Sequence, residues 1–141
     1  MDVKVVLSSD EIIRGLKHYR RIAKQDVLRA SETSDPDAFR RHAEARRAVY
    51  ASLSELAQGQ TPNEVVVEAL RQYQELPFVT GSEDPAHTEL KGRENALENF
   101  FLMIGLEPKV RREVRSQRPS LASEGGVNSA PRNDGGAAPA A

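Results

Sequence analysis

The most apolar stretch of the chain predicts the helix around which the others pack. Residues 96–106 hold two of the four phenylalanines, and a glycine follows the last apolar turn. Apolar side chains recur there at steps of three and four, the spacing of one helix face. They are Ala96, Leu97, Phe100, Met103 and Ile104. We therefore expect a helix over 88–104 that packs against the other helices and ends in a left-handed cap at Gly105.

The same periodicity and clear start signals predict the remaining helices. Ser8 and Thr61 each precede a glutamate by three residues, at Glu11 and Glu64, which is the pattern of a capping box. Asp35 is followed by proline, so it suits an N-cap position. A short connection there makes the first two helices an antiparallel hairpin. The predicted helices cover residues 9–33, 36–57, 62–75, 88–104 and 108–116.

Residues 3–7 (Val-Lys-Val-Val-Leu) are β-branched and partly alternating, which indicates a short strand or an extended arm. A strand needs a partner for its backbone, and the other β-like piece is 78–80 (Phe-Val-Thr). The arm pairs either with that piece or with a second subunit. Alternatively, it is an extended lead-in that packs Val5 and Leu7 onto the helices.

The C-terminal residues 117–141 are rich in serine, glycine, alanine, asparagine and proline. Such a segment buries too little apolar surface to offset its ordering entropy, so a disordered tail is predicted. The expected fold is all-α: a helical domain over 1–116, resembling a four-helix bundle with a short fifth helix, followed by the tail. No internal repeat is visible.

Composition narrows the function classes. Twenty Lys and Arg against 21 Asp and Glu give a net charge of -1, which argues against nucleic-acid or membrane-surface binding by the chain as a whole. Without cysteine, disulfides, thiolate catalysis and cysteine-based metal sites are excluded. No apolar run is long enough to span a membrane and no secretory signal opens the chain, so a cytoplasmic protein is expected.

Catalytic and metal-binding motifs are absent from the sequence. It has no P-loop, no Gly-x-Gly-x-x-Gly and no Gly-x-Ser-x-Gly. None of the three histidines has a partner at metal-site spacing. We expect neither an enzyme nor a bound metal or cofactor.

Polar residues on apolar helix faces form the most unusual feature. On a helical wheel Arg46 falls inside the apolar stripe of the second helix close to His42, and Asp26 falls on the buried side of the first. The antiparallel hairpin brings all three together. A buried charge must be paired. The cluster is either a ligand or anion pocket in which His42 titrates near neutral pH, or a structural ion pair.

Basic side chains concentrate in three places that suit phosphate binding. The last is the best of the three, because it leads into the tail. Ordinary solvated helix faces are the alternative. The three groups are Arg14, Lys17, Arg21 and Lys24; Arg40, Arg41 and Arg47; and Arg111, Arg112, Arg115 and Arg118.

The leading functional hypothesis is a small helical interaction or adaptor protein that forms a homo-oligomer or joins a larger assembly. Leu102 and Val67 fall outside the main apolar faces and Phe101 lies at the edge of one, so these three are the candidate interface. The alternative is a nucleic-acid-associated regulatory or packaging protein that uses the arginine patches. A ligand-binding pocket around Asp26 comes third.

Overall fold

Helices account for most of the protein, as the sequence predicts. The structure is a computed structural model that describes residues 3–79 and 84–120, and these ranges contain an isolated β-bridge but no strand. The all-α class is confirmed. The α-helices of the described ranges are α1 (Ser9–Leu28), α2 (Pro36–Gly59), α3 (Pro62–Glu75), α4 (Pro85–Ile104) and α5 (Pro108–Ser116), with a 3-10 turn at Ala30–Glu32.

The predicted helix caps are confirmed. The Ser8 hydroxyl accepts from the Glu11 N–H at 3.1 Å, and the Ser8 N–H donates to the Glu11 carboxylate at 2.9 Å. Thr61 and Glu64 repeat this capping box at the start of α3. At the end of α4, Gly105 adopts the left-handed conformation with a φ of 73°. Each cap satisfies backbone groups that a helix terminus would otherwise leave unpaired.

Three helix ends differ from the prediction. α1 ends at Leu28 rather than at 33, because the chain tightens into a 3-10 turn in which the Thr33 hydroxyl donates to a carbonyl 2.7 Å away. Serine and threonine side chains compete with helical hydrogen bonds in this way. α4 begins at Pro85 rather than at 88, since the Asp84 carboxylate caps it. α2 continues to Gly59.

α1 and α2 form the predicted antiparallel hairpin. Tyr19 stacks on Tyr50 with ring centroids 5.3 Å apart, while Asp26, later in α1, pairs with Arg46, earlier in α2. Partners that run in opposite directions along the two helices establish the antiparallel arrangement.

α4 packs along the other side of α2 and runs parallel to it. A Cβ added at Gly92 would lie 2.6 Å from the His42 carbonyl oxygen, so the two backbones touch at this point. Closer to the C-terminal end of both helices, the Asn99 amide on α4 donates to the Tyr50 hydroxyl on α2 at 3.0 Å. α3 is the crossover that makes the parallel arrangement possible, and it packs against α2, α4 and α5.

The core lies between α1, α2, α3 and α4, and α5 closes it with Val114. Burying such side chains is the main favourable term in folding, at about 25 cal/mol per Å² of apolar surface. The largest fully buried side chains are Tyr50, Tyr73, Phe100, Phe101, Ile12, Leu16, Leu53, Leu97, Val65, Val66 and Val114.

The N-terminal arm, residues 3–7, is an extended lead-in. Val3, Val5 and Leu7 pack against the core, and no described residue pairs with the arm backbone. Pairing with 78–80 is therefore wrong for the two described residues of that piece, since the Phe78 N–H donates to the Pro119 carbonyl at 2.9 Å instead. Thr80 lies outside the described residues.

The last described residues follow the predicted domain boundary at residue 116. Arg118 is buried against α3 and α4, so the folded domain continues past 116. The remaining tail residues, 121–141, lie outside the described part of the chain.

Candidate functional site

The structure brings Asp26, His42 and Arg46 together between α1 and α2. The Arg46 guanidinium donates from Nη2 to Asp26 Oδ2 at 2.9 Å and from Nε to His42 Nδ1 at 3.1 Å. Because Nδ1 accepts, the imidazole in this arrangement is neutral, with its remaining proton on Nε2. The side chains of Arg46 and Asp26 are 12% and 20% exposed, so the pair is partly shielded from water.

The surroundings of His42 favour the neutral form. Burial lowers the pKa of His42 below its ordinary value, the positive charge of Arg46 lowers it further, and Asp26 acts in the opposite direction. Lys91 on α4 adds to the lowering. The sequence predicted that His42 titrates near neutral pH, whereas its surroundings in the structure shift the pKa of His42 in the acidic direction.

A hollow of about 480 Å³ opens beside this cluster, where the α1–α2 connection meets the start of α4. His42 and Arg46 form part of its wall. Arg46 directs two of its donors into the cluster rather than into the hollow. This arrangement ties α1 to α2.

The C-terminal arginines do not form one exposed patch, and Arg118 in particular was wrongly placed on the surface. Its guanidinium donates to the Leu76 carbonyl at 2.8 Å, to Glu94 at 2.7 Å and to the Pro77 carbonyl at 3.2 Å. It also lies 4.5 Å from the centroid of the Phe78 ring. These hydrogen bonds and this ring contact stabilise the folded domain, so the Arg118 guanidinium is not part of an exposed patch.

The other three members of that patch are spread between surface and packing roles. Arg115 lies 3.7 Å from the Glu94 carboxylate and stacks over Phe78 at 5.0 Å. Arg111 is half-buried, whereas Arg112 is exposed. Sequence spacing shows that arginines share a helix face but not what covers that face.

The candidate interface residues also separate. Phe101 is only 2% exposed and packs its edge against Tyr73 at 5.3 Å, so its place in an interface is wrong. Val67 is half-buried. Leu102 is 77% exposed, which leaves a large apolar side chain in water at the end of α4.

The arm adds apolar surface near that end of α4. Val6 is 80% exposed, because the alternation along the arm turns it away from the core. It lines a groove of about 310 Å³ with Leu106, which follows the left-handed cap of α4. We call this region, consisting of Val6, Leu102 and the groove, the arm surface. The other apolar residues that line the groove are Val3, Ile104 and Val110.

A second groove, of about 240 Å³, is lined entirely by cations and lies between α1 and α2. We call it the basic groove. The sequence pattern placed three of its α1 residues in one stripe, assigned Arg47 to another group and missed Arg20. The hairpin register brings them together. The basic groove is lined by Lys17, Arg20, Arg21, Lys24 and Arg47.

Comparisons with protein-family models, with known proteins and with solved structures find no match. Within residues 3–79 and 84–120, no group of three or more His, Asp or Glu side chains is arranged to hold a metal ion. No helix in these ranges is both long and apolar enough to cross a membrane.

Proposed function

We propose that the protein is a small helical interaction module that self-associates through the arm surface. The observation that carries this proposal is an extended arm whose backbone is unpaired within the described chain, together with an exposed leucine in the last turn of α4.

The backbone of the arm offers a template for pairing. The N–H and C=O groups of residues 3–7 make no backbone hydrogen bond to the rest of the described structure. Its alternate side chains Val3, Val5 and Leu7 hold it against the domain. An extended segment fixed in this way can accept a further strand, as exposed sheet edges do.

The exposed side chains supply the apolar contact. Leu102 and Val6 are both more than three-quarters exposed. Fully burying a side chain of this kind stabilises an association by about 1.5–3 kcal/mol before the cost of immobilising the partner. Val6 lines the groove together with Ile104, and Leu102 precedes Ile104 by two residues in the last turn of α4.

A second copy of this chain is the occupant that fits these features. Two arms that pair antiparallel make a two-fold symmetric contact, in which each copy presents the same surface to the other. The arm then contributes hydrogen bonds, while Leu102 and Val6 contribute apolar area. The protein accordingly acts as a dimeric adaptor, and its other surfaces are left available to further partners.

Sedimentation velocity on the full chain at micromolar concentration tests this proposal. We expect a dimer for the native sequence and a monomer for Leu102→Lys and for Val6→Lys. Leu28→Lys is the matched control, because Leu28 is 66% exposed but lies on α1 away from the arm surface. A native protein that stays monomeric, or a Leu28 variant that dissociates as readily, would refute the proposal.

A further inference from the structure

We propose that the basic groove binds the phosphodiester backbone of nucleic acid without sequence preference. This site is separate from the arm surface and does not depend on self-association.

The fold itself concentrates these charges. Lys17, Arg20, Arg21 and Lys24 are spaced by three and four residues and so share one exposed face of α1. Arg47 reaches the same groove from α2, since it directly follows the Arg46 that fixes the hairpin register.

The groove cations make no ion pair within the part of the chain that the structure describes. None of the five makes an ion pair with a residue in 3–79 or 84–120, whereas arginines elsewhere in these ranges do pair with carboxylates. Like charges that share a groove repel each other, by about 1 kcal/mol at 4 Å in water. A bound polyanion removes this repulsion and releases its own counterions.

The hollow that adjoins the groove has a carboxylate, Glu55, in its lining. Glu55 shares the adjoining hollow with Lys17 and Arg20 but is too far from either for an ion pair. The Glu55 carboxylate weakens the positive potential at one end of the groove. Removing this negative charge should therefore strengthen anion binding, which tests whether the bound ligand is an anion.

The dimensions of the groove suit a strand better than a single small anion. Lys24 follows Lys17 by seven positions, which is about 10 Å along a helix. At about 3.4 Å of axis per nucleotide, this length matches roughly three consecutive phosphates. Three of the five cations are arginines, whose planar guanidinium can hold a phosphate through two hydrogen bonds.

The lining of the groove also indicates which part of the nucleic acid it contacts. It contains no aromatic side chain on which a base can stack, so contacts are to the backbone. A membrane surface fits less well, because α1 buries its apolar face (Ile12, Leu16 and Ala23) against the core and has none left to insert into lipid.

Fluorescence anisotropy of the full chain with labelled oligonucleotides tests the proposal over a series of salt concentrations. We expect similar affinities for unrelated duplex sequences. The logarithm of the binding constant should fall with the logarithm of salt concentration with a slope of about -3 to -4.5, as three to five phosphate contacts imply. The same titration with Leu102→Lys should give the same slope, because Leu102 does not line the basic groove. A failure of self-association therefore does not affect this result.

Matched double variants locate the site. Arg21→Gln with Lys24→Gln should reduce the slope by about 2, because each lost phosphate contact removes about 0.9. Lys109→Gln with Arg112→Gln is the control on α5: it removes one lysine and one arginine, also three residues apart, from exposed positions. The control should bind like the native protein, and Glu55→Gln should bind more tightly. Circular dichroism should show an unchanged fold for all of them.

Several results would overturn the proposal. These are no binding at low salt, binding that does not respond to salt, or a loss of binding in the α5 control rather than in the α1 variant. Binding to vesicles that contain anionic lipid, without binding to the oligonucleotides, would assign the basic groove to a membrane surface instead.

Discussion

The ion pair between Asp26 and Arg46 predicts a measurable loss of stability when its carboxylate is removed. The Arg46 side chain is 12% exposed in the native structure, and Asp26→Ala removes the 2.9 Å carboxylate acceptor of its guanidinium. The contact with His42 at 3.1 Å remains but supplies no opposite charge.

The magnitude follows from the partial burial of the pair. Breaking a fully buried pair costs about 3–5 kcal/mol, and a hydrogen bond to a charged group is worth about 1.5–3 kcal/mol. Because both side chains retain some solvent contact, the lower range applies, and we expect a loss of about 2 kcal/mol. For a domain of roughly 120 residues this lowers Tm by about 8 °C.

Thermal and urea unfolding of Asp26→Ala, Arg46→Met and the double variant provide the assay. The double variant should lose less than the sum of the two single losses by about 1 kcal/mol, since the residues contact each other. Glu89→Ala is the control: it breaks an exposed pair with Arg93 and should cost about 0.5 kcal/mol or less. Additive losses, or an Asp26→Ala protein as stable as the control, would refute the reasoning.

Three further predictions concern packing, pH and the buried arginine. Gly92→Ala should cost about 1–3 kcal/mol in urea unfolding, because the new Cβ meets the His42 carbonyl, whereas Gly59→Ala, with no atom within 4 Å, should be neutral or stabilising. The free energy of unfolding should fall as pH drops below about 6.5, because the lowered pKa of His42 lets the unfolded chain take up a proton first. Arg118→Met should cost about 3 kcal/mol, since a carboxylate and two carbonyls lose their donor.

Each of these predictions has a contrary outcome. Equal stability of the Gly92→Ala and Gly59→Ala proteins would mean that α2 and α4 are not in backbone contact. His42→Asn, which keeps an acceptor for Arg46, should flatten the acid limb of the stability profile, and an unchanged limb would point to other groups. An Arg118→Met protein that unfolds like the native one would return residue 118 to a surface role.

Local signals in the sequence predicted the helices and the hairpin well. The capping boxes at Ser8 and Thr61 depend on residues three apart, so nothing distant alters them. The contact between Asp26 and Arg46 was also within reach, because a short connection fixes which turns of α1 and α2 face each other.

Contacts between distant segments were not predictable in the same way. A helical wheel places Phe101 and Leu102 near the edge of one apolar face, but only the position of α3 buries the former and leaves the latter in water. Arg118 lies at the start of a stretch with the composition of a tail, and its partners lie 24 to 42 residues earlier. The parallel packing at Gly92 likewise follows from the crossover of α3.

The position of α2 between α1 and α4 has a consequence for the order of folding. Asp26 and Arg46 are 20 residues apart, whereas Tyr50 and Asn99 are 49 apart, so closing the second contact costs about 0.8 kcal/mol more in chain entropy. We expect the α1–α2 hairpin, with the basic groove already assembled on it, to form in the transition state before α4 docks. In stopped-flow kinetics Asp26→Ala should then mainly slow folding, while Gly92→Ala should mainly speed unfolding.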